Sequence, residues 1–136
     1  MAPDARLSVL EIRWGLVPDM TGTETLRRVV GLDVAKELVW TGRMVSGDEA
    51  VSLGLATRVS DDPRAAALEL AGQLVRQSPD AVRAAKRLLN QAGTVSEATQ
   101  FLDESKEITA LIGSPNQREA VTAYLERRDP AFIDPQ

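Results

Sequence analysis

The chain has 136 residues, the length of one domain with its own core. Hydrophobic residues make up 43% and charged residues 26%, an ordinary globular balance that excludes a disordered or collagen-like chain. The 16 basic against 20 acidic side chains leave a net charge of -4, without the basic field of a nucleic-acid binder, and zero Cys and zero His remove disulfides, thiolate nucleophiles, His-based triads and His or Cys metal sites.

What remains is mainly carboxylate chemistry. No apolar run approaches the roughly 18 to 20 residues of a membrane span, and the first residues lack the basic and apolar regions of a signal peptide. The expectation is a cytoplasmic chain without membrane contact.

In chain order, Leu7 to Val17 mixes apolar and β-branched residues and is cut by Gly15 and Pro18, which reads as a short strand over Leu7 to Glu11 running into a loop. Beyond Gly22 the apolar spacing becomes helical. Leu26, Val29 and Val30 share one face, Gly31 can stop that helix, and Asp33 can cap the next. Ser46 to Glu49 has the form of a capping box, and Gly54 can end its short helix. Leu55 to Val59 alternates as a second strand would, and Asp62-Pro63 opens a longer helix.

Ser78-Pro79, the Thr94-to-Glu97 box and Ser114-Pro115 each place a cap ahead of an amphipathic run, so four helices are expected between Pro63 and Arg128. Their stripes are Val82, Ala85 and Leu89; Phe101, Ile108 and Ile112; Val121, Tyr124 and Leu125. About two-thirds of these residues are expected in a core and the rest between subunits. Two short strands in a helical chain pose a difficulty, because isolated strands leave backbone groups unpaired. Either their partners lie elsewhere or they are not strands.

Glu11 stands among apolar residues, and Asp19 follows across Gly15 and Pro18. Apolar surroundings disfavour the charged form of a carboxyl group, which suits it to proton transfer near neutral pH. Two such groups facing one substrate can divide acid and base roles. The bland alternative is a pair of solvated or backbone-capping carboxylates at a turn.

The run Glu11-Ile12-Arg13-Trp14-Gly15-Leu16-Val17-Pro18-Asp19, then Gly22-Thr23 and Leu26 to Gly31, strongly resembles the middle of the crotonase superfamily, the enoyl-CoA hydratases and isomerases. The likeness continues through Thr41-Gly42-Arg43, Ser46 to Ala50, Gly54-Leu55-Ala56, Ser78-Pro79, Ala84-Ala85-Lys86 and Tyr124 to Arg128. It implies an α-rich α/β chain, the C-terminal part of a crotonase ββα spiral, mostly helices with one or two short strands. Residues 1–62 would be the end of the core with the active-site loop, 63–128 a helical oligomerisation region, and 129–136 an irregular tail.

By the same resemblance, Glu11 matches one of the hydratase's two catalytic glutamates. Asp19 stands where hydratases typically carry glycine and dienoyl-CoA isomerases a carboxylate. Tyr124 matches a position where an aromatic lines the acyl pocket and Arg127 one where a basic residue approaches CoA phosphates, and Leu16 is a further candidate for substrate binding. Met20 and Thr21 depart from the small, glycine-rich hydratase pattern. Family members are about twice as long, and their N-terminal half supplies the second glutamate and both oxyanion-hole N–H groups, so this chain is expected to begin in mid-fold.

The implied partners are an acyl-CoA substrate, further copies in a trimer or hexamer, and a chain carrying the N-terminal half. No metal or redox cofactor is implied, since CoA belongs to the substrate. Lys86, Arg87 and Arg83 form a basic face that reads as solvated surface. The competing function is a non-catalytic helical module that assembles with another acyl-CoA enzyme subunit.

Overall fold

The computed structural model describes residues 1–134, and among them the sheet is a two-residue ladder: β1 (Arg6–Leu7) pairs antiparallel with β2 (Val45–Ser46), in the register Arg6 to Ser46 and Leu7 to Val45. The rest of the first unit, Met1–Ala67, consists of a 3₁₀ turn (Glu11–Trp14), α1 (Gly22–Val29), α2 (Leu32–Thr41), α3 (Gly47–Leu53) and the connections between them. Leu38, Val45 and Ala50 are its buried centre, flanked by Leu7, Val34, Leu53 and Leu55. These residues come from α2, β2, α3, β1 and the segment after α3, so short elements are held by one small apolar cluster rather than by long ladders.

Both expected strands need correction. The first is limited to Arg6–Leu7, because β2 offers two residues for pairing and the ladder ends with it. From Glu11 the chain is a 3₁₀ turn instead. The second, Leu55 to Val59, is not a strand: the Leu55 and Ala56 amides both donate to the Ala50 carbonyl, at 2.8 and 3.1 Å, and fold the segment back on α3. Its far end meets the first residue, whose nitrogen donates to the Arg58 carbonyl at 2.9 Å.

The caps are mostly as expected. Gly31, not Asp33, stands at the N-cap of α2, while Asp33 occupies the first turn, where a carboxylate suits the positive end of the helix dipole. Ser46 Oγ accepts from the Glu49 amide at 3.1 Å. The reciprocal half of that box is missing, because the Glu49 carboxylate takes Arg43 Nη1 at 2.6 Å, and Arg43 Nε takes Glu37 at the same distance. A charged partner outcompetes a backbone amide.

Helix α4 (Pro63–Leu74) starts on Asp62, whose Oδ1 accepts from Ala65 at 2.9 Å, and carries the boundary between the two units. The second unit, from Leu68 onward, holds α5 (Pro79–Gln91), α6 (Glu97–Leu111) and α7 (Pro115–Glu126). Ser78, Ser96 and Ser114 cap them through their hydroxyls. The Thr94-to-Glu97 box is displaced: Ser96 is the cap of α6, and Thr94 Oγ1 donates back to Gln91 O at 2.6 Å.

Helices α5 and α6 meet along a polar seam, where Arg87 grips Glu107 with two bonds of 2.7 Å and Gln91 donates to Asp103. The described tail is irregular, yet it is clasped. Asn116, only 2% exposed, donates to Asp80 and to Ile133 O, and accepts from the Ile133 amide at 2.9 Å.

The stripes correct the sequence expectation most strongly. All nine stripe residues are exposed in this chain, Phe101 at 63% and Leu89 at 75%. Ala84 and Ala123 are the buried apolar positions of α5 and α7. Small side chains let the backbones approach, and the large apolar ones are left facing outward. Among the described residues no helix is long and apolar enough to cross a membrane.

Candidate active site

The segment that carries Glu11 is a tight turn locked at both ends. Glu11 opens the 3₁₀ turn, Gly15 closes it with φ 68° and donates to Ile12 O at 3.1 Å, and the Leu16 amide returns to Glu11 O at 3.0 Å. A side chain at position 15 would strain that left-handed backbone. Glu11 is half-buried, and its Oε2 is buried with no hydrogen-bond partner among the described residues. A buried carboxylate oxygen without a partner is costly to keep, so its acceptor capacity stands open for a ligand or a proton.

Beyond the turn, Pro18 leads into Asp19, whose carbonyl accepts from Gly22 at 2.8 Å while the residue itself lies exposed. The next two residues are strained. Met20 has φ 48° and Thr21 φ 67°, the left-handed region that costs an L-residue roughly 1–2 kcal/mol. Thr21 is also the N-cap of α1 and makes no side-chain cap bond there. Non-glycine strain of this kind collects at functional loops. The sequence signal for it was the departure of Met20 and Thr21 from a glycine-rich pattern.

A small, mostly apolar cavity of about 130 Å³ is walled by Leu7, Ser8, Val9, Leu26, Leu38, Val45 and Leu55. Leu16, proposed from sequence as a substrate-binding residue, is exposed on the same loop as Trp14, Val17 and Met20. The first unit thus brings Glu11, Leu16 and Asp19 onto one short apolar loop.

In the second unit, Tyr124 is 83% exposed on α7, and Arg127 closes that helix with φ 54°. Arg127 makes no ion pair among the described residues. Its neighbour Arg128 does: it holds Glu119 with bonds of 2.6 and 3.0 Å and Glu126 at 2.7 Å. Those bonds, with the Ala131 amide, pull the Glu119 carboxyl down to about 2. The basic face of α5 is not simply solvated, because Arg87 is paired with Glu107, whose carboxyl is held below its ordinary range by that bond. An open cleft of about 380 Å³ beside it is walled by both signs of charge, Arg83 and Arg87 against Asp80, Glu107 and Asp134. None of the five candidate residues lines it. Among the described residues no three carboxylates gather as a metal site.

The family model described as enoyl-CoA hydratase/isomerase matches residues 1–135. The chain is 34% identical over 131 residues to the 2,3-dehydroadipyl-CoA hydratase of Escherichia coli (strain K12), covering 95% of this chain and 51% of that protein. It is 31% identical over 127 residues to the short-chain-enoyl-CoA hydratase of Clostridium acetobutylicum, covering 92% and 49%. In three dimensions it is similar to an enoyl-CoA hydratase from Bacillus anthracis, with a TM-score of 0.91 at 31% identity over 96% of this chain and 52% of the other. The chain spans about half the length of the curated relatives it matches.

Proposed function

This chain belongs to the enoyl-CoA hydratase/isomerase family of the crotonase superfamily, and from that membership we propose that it is the C-terminal half of an enzyme that moves protons on acyl-CoA thioesters. The observation that carries the reading is the buried, unpartnered Oε2 of Glu11 on the motif that matches the family. In this reading the thioester oxygen takes up charge as an enolate and is held by backbone N–H groups from the N-terminal half, on the same chain or a separate one. Losing even one such donor typically costs about 10²- to 10³-fold in rate.

Glu11 exchanges a proton with the acyl chain. For hydration, water gives up one proton to a carboxylate as its oxygen bonds the β-carbon, the double bond opens toward the thioester, and the α-carbon takes a proton, with Glu11 and a second carboxylate from the N-terminal half sharing the two transfers. For double-bond migration, Asp19 is the second proton carrier, receiving or returning the proton that Glu11 does not. Leu16 and Tyr124 offer exposed apolar surface for the acyl chain, and Arg127 offers an unpaired cation for the CoA phosphates. The reading calls on no metal or redox group. Self-association as a trimer or hexamer is the proposed cover for the exposed stripes of α5, α6 and α7.

The test compares Glu11→Gln and Asp19→Asn in the assembly that contains both halves, on enoyl-CoA and dienoyl-CoA substrates. Glu11→Gln is expected to lower kcat by at least about 10²-fold with little change in acyl-CoA affinity. Asp19→Asn should fall as far only if double-bond migration is the native reaction. Wild-type rates from both variants on every acyl-CoA would overturn the proton-transfer roles. The assembly role without chemistry would be the outcome if no activity depends on Glu11.

A further inference from the structure

Two left-handed glycines flank the turn that carries Glu11, and only one of them is its neighbour in sequence. Gly15 closes the turn itself, whereas Gly42, with φ 56°, closes α2 and lies directly against it. A Cβ at Gly42 would stand 3.0 Å from Ile12 Cγ2 and 3.3 Å from Val9 O. The end of α2 therefore packs closely against the Ile12 side chain of the turn and the Val9 carbonyl just before it, and a side chain at position 42 would crowd both.

One bond joins the two. The Gly42 carbonyl, an orphan acceptor of the helix end, receives the Ser8 hydroxyl at 2.9 Å in a half-buried setting. Ser8 stands just past the last rung of the β1–β2 ladder and just before Glu11. On the far side of Glu11 the backbone is held locally, through Arg13 N to Leu10 O at 3.0 Å and Leu16 N to Glu11 O at 3.0 Å. On the near side the ladder has ended, and the Ser8 hydroxyl is what ties the entry of the turn to distant backbone.

We infer that Ser8 is a positioning residue for Glu11, acting through its tether to the Gly42 carbonyl at the end of α2. The inference rests on the proton-transfer reading of Glu11 and names the group that sets its geometry. A carboxylate on a short turn has little of its own to fix it, and a displacement of about 1 Å in a reacting group can cost as much as 10²-fold in rate. Without the hydroxyl, the turn can pivot about Gly15 and move Oε2 from its buried place.

The experiment uses the active assembly and four variants: Ser8→Ala, Ser8→Thr, Glu11→Gln and the Ser8→Ala/Glu11→Gln pair. Ser8→Ala is expected to lower kcat about tenfold while KM for the acyl-CoA stays within about twofold. Ser8→Thr keeps the hydroxyl and should restore most of kcat. On the Glu11→Gln background, Ser8→Ala should cost nothing further, because the group it positions is gone. Amide exchange at Gly15 and Leu16 should quicken in Ser8→Ala while the amides of α1 stay as they were. Wild-type kcat in Ser8→Ala beside an impaired Glu11→Gln would overturn the tether, and so would equal losses from Ser8→Ala on both backgrounds. A Glu11→Gln variant at full rate would instead overturn the reading on which the tether depends.

Discussion

Glu119 shows how much one carboxylate can be asked to hold. It accepts two bonds from Arg128 and one from the Ala131 amide, at 2.6, 3.0 and 2.7 Å, and so fastens the start of the tail to α7. Its carboxyl is drawn from 4.5 to about 2 by Arg128 first and by the backbone amide second. A group that binds its proton less readily folded than unfolded favours the folded state wherever the unfolded carboxyl would be ionised. That contribution is whole above pH 4.5 and is lost as pH falls toward about 2. Asp103, paired with Lys106, and Glu107, paired with Arg87, are lowered too and act in the same direction. Thermal unfolding between pH 7 and pH 2 should therefore show Tm falling through the acid range, with Glu119→Gln lower at neutral pH and flatter below pH 4.5. Identical acid limbs in the two proteins would show that the tail clasp carries no linked stability.

At the scale of elements, the helices are set by their ends. Serine hydroxyls take the first free amides of α3, α5, α6 and α7. The connection before α6 holds two candidate caps, and they do different work. Ser96 Oγ accepts from the Thr99 amide at 3.2 Å, while Thr94 Oγ1 donates to Gln91 O and finishes α5. Removing a true N-cap hydroxyl typically costs about 1 kcal/mol. Ser96→Ala is thus expected to lower the denaturant midpoint measurably, and Thr94→Ala to lower it by less than half as much, at an unchanged m-value. The reverse order would return the cap to Thr94.

The whole chain exposes more large apolar surface than an isolated protein keeps. Phe101, Ile108 and Ile112 of the α6 region and Tyr124 and Leu125 of α7 all face outward, as do Trp14, Val17 and Met20 of the Glu11 loop. Exposed stripes of large apolar side chains along a helix suit a surface that meets a partner. Sedimentation velocity should show concentration-dependent association of the wild-type chain. Phe101→Lys with Ile108→Lys should reduce it while helical content holds, since neither side chain is part of a buried core. A compact monomer of the wild type at high concentration would refute the assembly.

By itself the sequence determined the helices of the second unit, the Ser78 and Ser114 caps, the Gly54 stop and the family, because these depend on local spacing and on motif order. Motif order also singled out Glu11 and Asp19 as candidate residues. The tertiary structure decided what local pattern cannot encode. Whether an apolar alternation becomes a strand depends on a partner: Arg6 and Leu7 pair with the two residues of β2, whereas the Leu55 and Ala56 amides turn back to the Ala50 carbonyl. Which face of a helix is buried depends on its neighbours. The close meeting of α5 and α6 through Arg87 and Glu107, and the burial of Ala84 and Ala123, left the larger apolar side chains outward. The Ser8 bond to Gly42 joins residues far apart in the chain and has no periodic signature, since a hydroxyl reads the same in sequence whether it caps a helix, meets water or holds a carboxylate in place.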